Sequence, residues 1–307
     1  MVEKLIIIGS GPAGYTAAIY GIRDGLNPLL IRGFEVGGQL MLTSAVENFP
    51  GFSSILGPDL MDAMAKHVDS LNVRKIDKNV ERVDLSSYPY KVFTDDQTFE
   101  TYSLIIASGA SAKWLGLENE KRLIGKGVSG CATCDGFFFK GKDVAVIGGG
   151  DSAMEDATYL SGLAKSVTVI HRRHEFRASK IMQDRLLANP KIKVIWDSVV
   201  VDILGKDKVD GIKIKNNVDG KETSINLDGV FIAIGHEPNT AIVKGQLDLD
   251  KEGYIITKEF TKTSKPGVFA VGDVQDRKYK QAVIAAGWGS MAAIDARKFL
   301  MEKKLLD

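Results

Sequence analysis

The sequence has only two cysteines in 307 residues, Cys131 and Cys134. A secreted fold stapled by disulfides uses more, spread along the chain, so that class is excluded. A tetrahedral zinc site needs four ligands. The four histidines, His67, His171, His174 and His236, supply no second ligand pair beside the cysteines. An excess of one charge is also missing. The 40 Lys and Arg against 39 Asp and Glu leave a net charge of +1, which points to neither nucleic acid nor a membrane surface. No stretch reaches the ~18–20 apolar residues of a membrane span. The opening Met-Val-Glu-Lys enters an apolar strand at once, without the segments of a signal peptide, so the default expectation is a cytoplasmic protein.

What the chain has instead is glycine, 32 residues, clustered at turns. Leu5–Ile8 is an apolar strand that breaks at Gly9-Ser10-Gly11-Pro12-Ala13-Gly14. An amphipathic stretch from Tyr15 to about Asp24 follows, and then a second strand, Pro28–Ile31. This strand–turn–helix–strand unit is the βαβ pattern of a nucleotide-binding fold. The pattern recurs 139 positions later, with Val144–Ile147, Gly148-Gly149-Gly150-Asp151-Ser152-Ala153, a helix over Met154–Leu163 and a strand over Val167–Ile170. Two copies predict two dinucleotide sites and an α/β fold of two Rossmann-like domains. Leu104–Gly109 and Val230–Gly235 are each a buried-type strand ending in glycine, able to close one domain and hand the chain to the other. The first domain is therefore expected to be discontinuous, 1–112 with 242–307, around an inserted 113–241.

Each turn has a mechanical reading. Gly9 allows the tight turn, Gly11 lets the backbone approach a pyrophosphate, and Gly14 lets the helix pack close to the strand. The pyrophosphate then meets the positive end of the helix. An acidic residue normally ends the second strand to hold a ribose hydroxyl. Here Arg32 stands in its place, with Glu35 three residues on as a substitute, and Gly37-Gly38-Gln39 forms a backbone-accessible loop. The second copy ends in His171-Arg172-Arg173-His174-Glu175-Phe176-Arg177, with three guanidiniums where a ribose-reading carboxylate is expected. Arginine takes phosphate in bidentate fashion, so a 2′-phosphate, and hence NADPH rather than NADH, is the predicted ligand.

Cys131-Ala132-Thr133-Cys134 has the spacing of an exchangeable dithiol, and Asp135 abuts it as a candidate proton donor or acceptor. Together these motifs resemble the low-molecular-weight thioredoxin reductases. The resemblance rests on Gly-Ser-Gly-Pro-Ala-Gly at 9–14, Gly-Gly-Gln-Leu at 37–40 and Val-Glu-Asn-Phe-Pro-Gly at 46–51. It continues through Cys-Ala-Thr-Cys-Asp-Gly at 131–136, Gly-Gly-Gly-Asp-Ser-Ala at 148–153 and His-Arg-Arg-x-x-Phe-Arg-Ala at 171–178. Val-Gly-Asp-Val at 271–274 and Gln-Ala at 281–282 complete the series.

The resemblance implies FAD on the first domain, with Gly9, Ser10, Gly11, Pro12, Ala13 and Gly14 at its pyrophosphate. Arg32, Gly33, Phe34, Glu35, Gly37, Gly38, Gln39 and Asn48 would lie along its length, with Gly109 nearby. Gly272 and Asp273 would meet the ribityl or pyrophosphate region, and Lys280, Gln281 and Ala282 the flavin ring. NADPH would take Gly149, Gly150, Asp151, Ser152, His171, Arg172, Arg173 and Arg177. Cys134 would be the sulfur nearer the flavin, Cys131 the one that attacks a thioredoxin-like partner, and Asp135 the acid–base group. A homodimer and a large rotation between domains are also implied. Lys280 replaces a commoner Arg, and Ser290 stands where some relatives have Cys. Larger disulfide reductases need more chain and a wider-spaced cysteine pair. A ferredoxin– or flavodoxin–NADP reductase lacks the dithiol. A nucleotide-binding redox sensor without enzymatic activity is the remaining alternative.

Overall fold

A computed structural model of the chain describes residues 2–42 and 45–306. Met1 of the opening tetrapeptide therefore lies outside the described residues. The chain divides into two compact units, residues 1–111 with 237–307, and residues 112–236. The second crossing thus falls five residues before the 242 suggested by sequence. The strands Ala110–Ala112 and His236–Pro238, which carry the two crossings, pair with each other as a two-stranded ribbon.

The first unit is built on a five-stranded parallel sheet. Its order is Val268–Ala270, Leu104–Ile106, Ile6–Ile8, Leu29–Ile31, Arg74–Ile76, with Ile6 opposite both Leu29 and Leu104. Strand residues alternate between faces. Ile7, Leu30 and Ile105 accordingly join one core with Ala13, Ala17, Ala292 and Ala296. Ile6, Ile8, Leu29, Ile31, Leu104 and Ile106 join the core on the opposite face. Both faces being covered explains why these strands read as unbroken apolar runs. Each fully buried Ile or Leu contributes about 1.5–3 kcal/mol. The helix Pro12–Arg23 packs against the last helix, Ala282–Glu302, and the approach is close enough that a Cβ on Gly289 would overlap the carbonyl oxygen of Ala13. A second, four-stranded sheet joins Val2–Glu3 to the meander Arg82–Asp84, Tyr90–Phe93 and Thr98–Thr101.

The second unit repeats the plan. Its parallel sheet runs Val128–Ser129, Gly229–Ile232, Asp143–Ile147, Ser166–Ile170, Ile192–Ile195. A three-stranded antiparallel sheet, Ser198–Leu204, Gly211–Asn216 and Glu222–Asn226, accompanies it. In both units the glycine turn follows the third of five strands, at the carboxyl edge where doubly wound sheets take ligands. Both helices begin earlier than periodicity suggests, at Pro12 and Asp151, because Gly11 and Gly150 are the capping residues.

Candidate active site

In the first unit Gly9 adopts φ +113°, and an added Cβ would overlap the Ala107 carbonyl oxygen; one on Gly14 would overlap the carbonyl oxygen of Gly9. These two positions lock strand, turn and helix together. Gly11 differs, since a Cβ there meets nothing in the chain. The helix it caps has no side-chain cap and no acidic residue in its first turn, so its free N–H groups keep their positive character. Ser10 is buried with its hydroxyl turned inward, donating to the Arg32 carbonyl at 2.8 Å and accepting from the Gly37 amide at 3.1 Å. That clamp brings the 37–39 loop to the turn, and a Cβ on Gly38 would lie 3.7 Å from the Gly11 α-carbon.

The end of the second strand departs from expectation in one respect. The Arg32 guanidinium is engaged by Asp77 through two bonds of 2.7 Å, and the pair holds the Asp77 carboxyl below its usual range. Asn79 accepts the Phe34 amide at 3.0 Å. Neither Asp77 nor Asn79 was legible as a site residue, because both arrive through the neighbouring strand 45 positions later. Glu35 and Gln39 are exposed. Ser108 and Gly109 are clamped by Asn239, whose amide nitrogen donates to the Ser108 carbonyl at 2.8 Å and whose backbone amide donates to the Gly109 carbonyl at 3.0 Å.

The turn at Gly272-Asp273 lies on the same helix end, since a Cβ on Gly272 would come within 3.1 Å of the Ala13 Cβ. The Asp273 side chain accepts no hydrogen bond from the described residues, and loss of hydration, with Asp276 nearby, pushes its carboxyl up to about 6. The last helix starts at Ala282 with Gln281 as its cap, and the Asn48 amide donates to the Gln281 side-chain oxygen at 3.2 Å. The glycine turn, the 37–39 loop, Asp273 and the start of the last helix therefore all belong to one unit. Three of their features fit a dinucleotide: a desolvated carboxyl without a donor, a helix end without a cap, and clear space over Gly11.

The second unit builds its turn differently. A Cβ on Gly149 would fall into the imidazole of His171, whereas one on Gly150 meets nothing. His171 is only 5% exposed. Its Nε2 lies 2.9 Å from the Glu175 carbonyl oxygen, and its ring packs on Phe176 and Trp196. Burial lowers its pKa, aided by the nearby Arg177 and Arg172. His171 is thus the floor of the turn, while Arg172, Arg173 and Arg177 are exposed and none forms an ion pair with a described residue. The arginine loop is fastened by Phe176 packed at a tilt on Trp196, ring centroids 4.3 Å apart, by the Arg177 amide on the Gly149 carbonyl, and by Asp151 accepting the Ser179 amide at 2.8 Å. Ser152 is exposed on the first turn of that helix. Three unpaired guanidiniums beside an open glycine fit a phosphorylated ribose.

The same unit carries the dithiol. Cys131 and Cys134 form a disulfide, with α-carbons 5.4 Å apart, across the short helix Ala132–Asp135. Gly136 seats this helix against Tyr159 and Leu160 of Asp151–Ser161, and a methyl on that glycine would lie 3.0 Å from each. Ser129, at the end of its strand, accepts the Cys131 amide at 3.0 Å. One oxygen of Asp135 is buried without a hydrogen-bond partner, and desolvation raises the carboxyl, opposed by the Ser129 hydroxyl. Ser129 was not singled out from sequence, and nothing in its spacing distinguishes it. Among the described residues no group of three or more His, Cys, Asp or Glu could hold a metal ion, and no helix is long and apolar enough to cross a membrane.

Two nucleotide turns and a dithiol on one chain define a class. The chain belongs to the pyridine nucleotide-disulphide oxidoreductase family, whose model matches residues 3–289. Within that family its relatives are thioredoxin reductases. One from Rickettsia felis is 55% identical over 303 residues, covering 97% of this chain and 98% of the relative. One from Coxiella burnetii is 49% identical, covering 97% and 96%. Among solved structures, a thioredoxin reductase from Giardia duodenalis superposes with a TM-score of 0.93 at 42% identity, covering 97% of this chain and 98% of that one. Family membership implies a flavin and a nicotinamide cofactor.

Proposed function

We propose that the protein is an NADPH-dependent thioredoxin-disulfide reductase, with FAD held by the first unit and NADPH by the second. The observation that carries this reading is the Cys131–Cys134 disulfide beside Asp135, one of whose oxygens is buried and unpartnered, in the same unit as the three unpaired arginines. Gly9–Gly14, the 32–39 loop, Asn48, Gly109, Gly272, Asp273 and residues 280–282 receive the flavin nucleotide. Gly149–Ser152 with Arg172, Arg173 and Arg177 receive the 2′-phosphorylated one, with His171 beneath them. Held by these residues, the flavin and nicotinamide would supply the hydride and electron-pair chemistry that reduces the disulfide.

The chain's own part follows from its residues. Reduction of the disulfide leaves two sulfurs sharing one proton, and Asp135, next to Cys134 in the chain and raised by burial, is the group assigned to hold or release it. The Cys131 thiolate attacks the partner's disulfide and forms a mixed disulfide; the Cys134 thiolate displaces it. The partner leaves with two thiols, taking that proton and a second from solvent, and Cys131–Cys134 is oxidised again. Since nicotinamide and dithiol belong to one unit, they take turns at the flavin, through rotation at the crossings near 111 and 237. A homodimer is part of the reading.

The test is direct. The purified protein should be yellow, bleach on NADPH, gain two thiols, and oxidise NADPH when thioredoxin is supplied. A colourless protein that stays colourless with added flavin, or a C131S/C134S variant that still reduces thioredoxin, would overturn the assignment. A flavoprotein that reduces dyes but not thioredoxin would instead favour a ferredoxin– or flavodoxin–NADP reductase. A cross-link between the units should stop turnover while leaving one half-reaction intact.

A further inference from the structure

Asp276 is 5% exposed, and both of its carboxylate oxygens are occupied by backbone amides. One accepts Lys278 at 2.8 Å and Tyr279 at 2.9 Å; the other accepts Lys280 at 2.8 Å. Its own amide donates to the Gly272 carbonyl at 3.0 Å. A single buried residue therefore ties the Gly272–Val274 turn, which carries Asp273, to the loop that leads into the last helix, its backbone holding the turn and its carboxylate the loop. That loop contains a backbone an ordinary residue avoids. Lys280 sits at φ +49°, in the left-handed region, where a residue with a Cβ persists only when its surroundings hold it. One contact that holds it there is the bond from the Lys280 amide to Asp276. Gln281, the next residue, caps the 21-residue helix whose first turn has no acid and no side-chain cap.

From this connection we propose that Asp276 is a positioning residue for the flavin. By fixing Lys280 in its left-handed conformation, it sets the position of the Gln281–Ala282 helix end relative to Asp273, and so the environment of the isoalloxazine ring. The proposal rests on the assignment of FAD to this unit. Asp276 does not touch the flavin; its effect passes through the backbone of 278–280. The charge is needed as well as the shape, because three N–H groups converge on it. An amide side chain keeps one acceptor oxygen, but its nitrogen cannot accept from Lys280.

The experiment uses the full-length protein, first without flavin and then titrated with FAD. In the flavin-free protein, D276N should speed hydrogen exchange at the Lys280 amide. On titration, D276N should weaken FAD about tenfold, shift the flavin absorption bands and move the midpoint potential. Against K280G alone, D276N/K280G should lose less affinity than D276N loses against the parent, because glycine takes a positive φ without a Cβ penalty. K280G alone removes a side chain assigned to the flavin, so it serves as the reference for the double variant. If the parent binds FAD and folded D276N matches it in exchange, affinity, spectrum and potential, the positioning role is wrong. It is also wrong if D276N costs as much affinity in the K280G background as in the parent. If D276N does not fold, D276E takes its place in the same comparison with and without K280G, and the same two outcomes decide. A parent protein that binds no flavin at all defeats the assignment of the unit rather than this role.

Discussion

The two nucleotide turns share the order of four of their five strands, glycine spacing and position at the sheet edge, yet they are held from below by different means. In the first unit the turn is stapled by the Ser10 hydroxyl, and its helix is pressed onto Gly9 through Gly14. The arginine at the end of its second strand is neutralised by Asp77. In the second unit the turn rests on the His171 ring, and its basic loop carries three guanidiniums without carboxylate partners. The lesson is that the glycines choose the backbone path, which both turns share. The residues after the second strand choose the ligand, by leaving positive charge available or by cancelling it.

That contrast can be broken most forcefully at Gly14. G14A drives a methyl into the Gly9 carbonyl and should destabilise the flavin-free protein by about 3 kcal/mol or more. G11A adds the same methyl where the chain has nothing, so its stability should stay within about 1 kcal/mol while FAD binding weakens. Thermal unfolding with and without FAD separates the two; equal destabilisation would refute the division between packing and ligand glycines.

The next largest effect is at the arginines. Replacing Arg172, Arg173 and Arg177 together with Gln should reduce the preference for NADPH over NADH by about a hundredfold, given about 1.5–3 kcal/mol for a charged hydrogen bond less the screening of exposed groups. Michaelis constants for the two nucleotides measure this, and an unchanged ratio would remove the assigned role.

Asp273 gives a smaller, pH-dependent signature. Its carboxyl is raised from 3.8 to about 6, so burial favours the protonated form. Its contribution to the flavin-free fold is full below about pH 4 and is lost as pH rises through 6. D273N lacks that titration. The flavin-free parent should therefore lose roughly 2–3 kcal/mol relative to D273N between about pH 4 and 7. Urea unfolding across that range checks it, and parallel curves would contradict it. Added FAD should reverse the order, since the asparagine is a weaker acceptor.

The smallest change is expected at the exposed Asp77. D77N should alter FAD affinity by no more than about fivefold, because a half-exposed ion pair is worth about 0–1 kcal/mol. A flavin titration that showed a loss as large as that of G11A would make the cancelled charge a primary determinant.

Much of this arrangement was legible in the sequence because it is local. The strand before each glycine turn, the helix after it and the basic loop at 171–177 are each set by neighbours within a few residues. What escaped depends on pairing across the sheet or on burial. Asp77 reaches Arg32 because Arg74–Ile76 lies beside Leu29–Ile31, a register that no local pattern encodes. Asn239 reaches Ser108 across 131 positions. His171 stands in a run of basic residues and reads as one more cation, but the structure buries it under Gly149. The meander 82–101 was also missed: its strands are three or four residues long and half-exposed, too short for alternation to stand out.

The first unit's central sheet has a gap until late in synthesis. Its edge strand Val268–Ala270 and the helix that covers Ala13 and Ala17 are translated only after residues 112–236. On the ribosome the second unit can thus be complete while the first still exposes the apolar face meant for Ala292 and Ala296. The order of assembly runs from the inserted module outward, and the proposed flavin seat is completed only when Gly272–Ala282 has been translated.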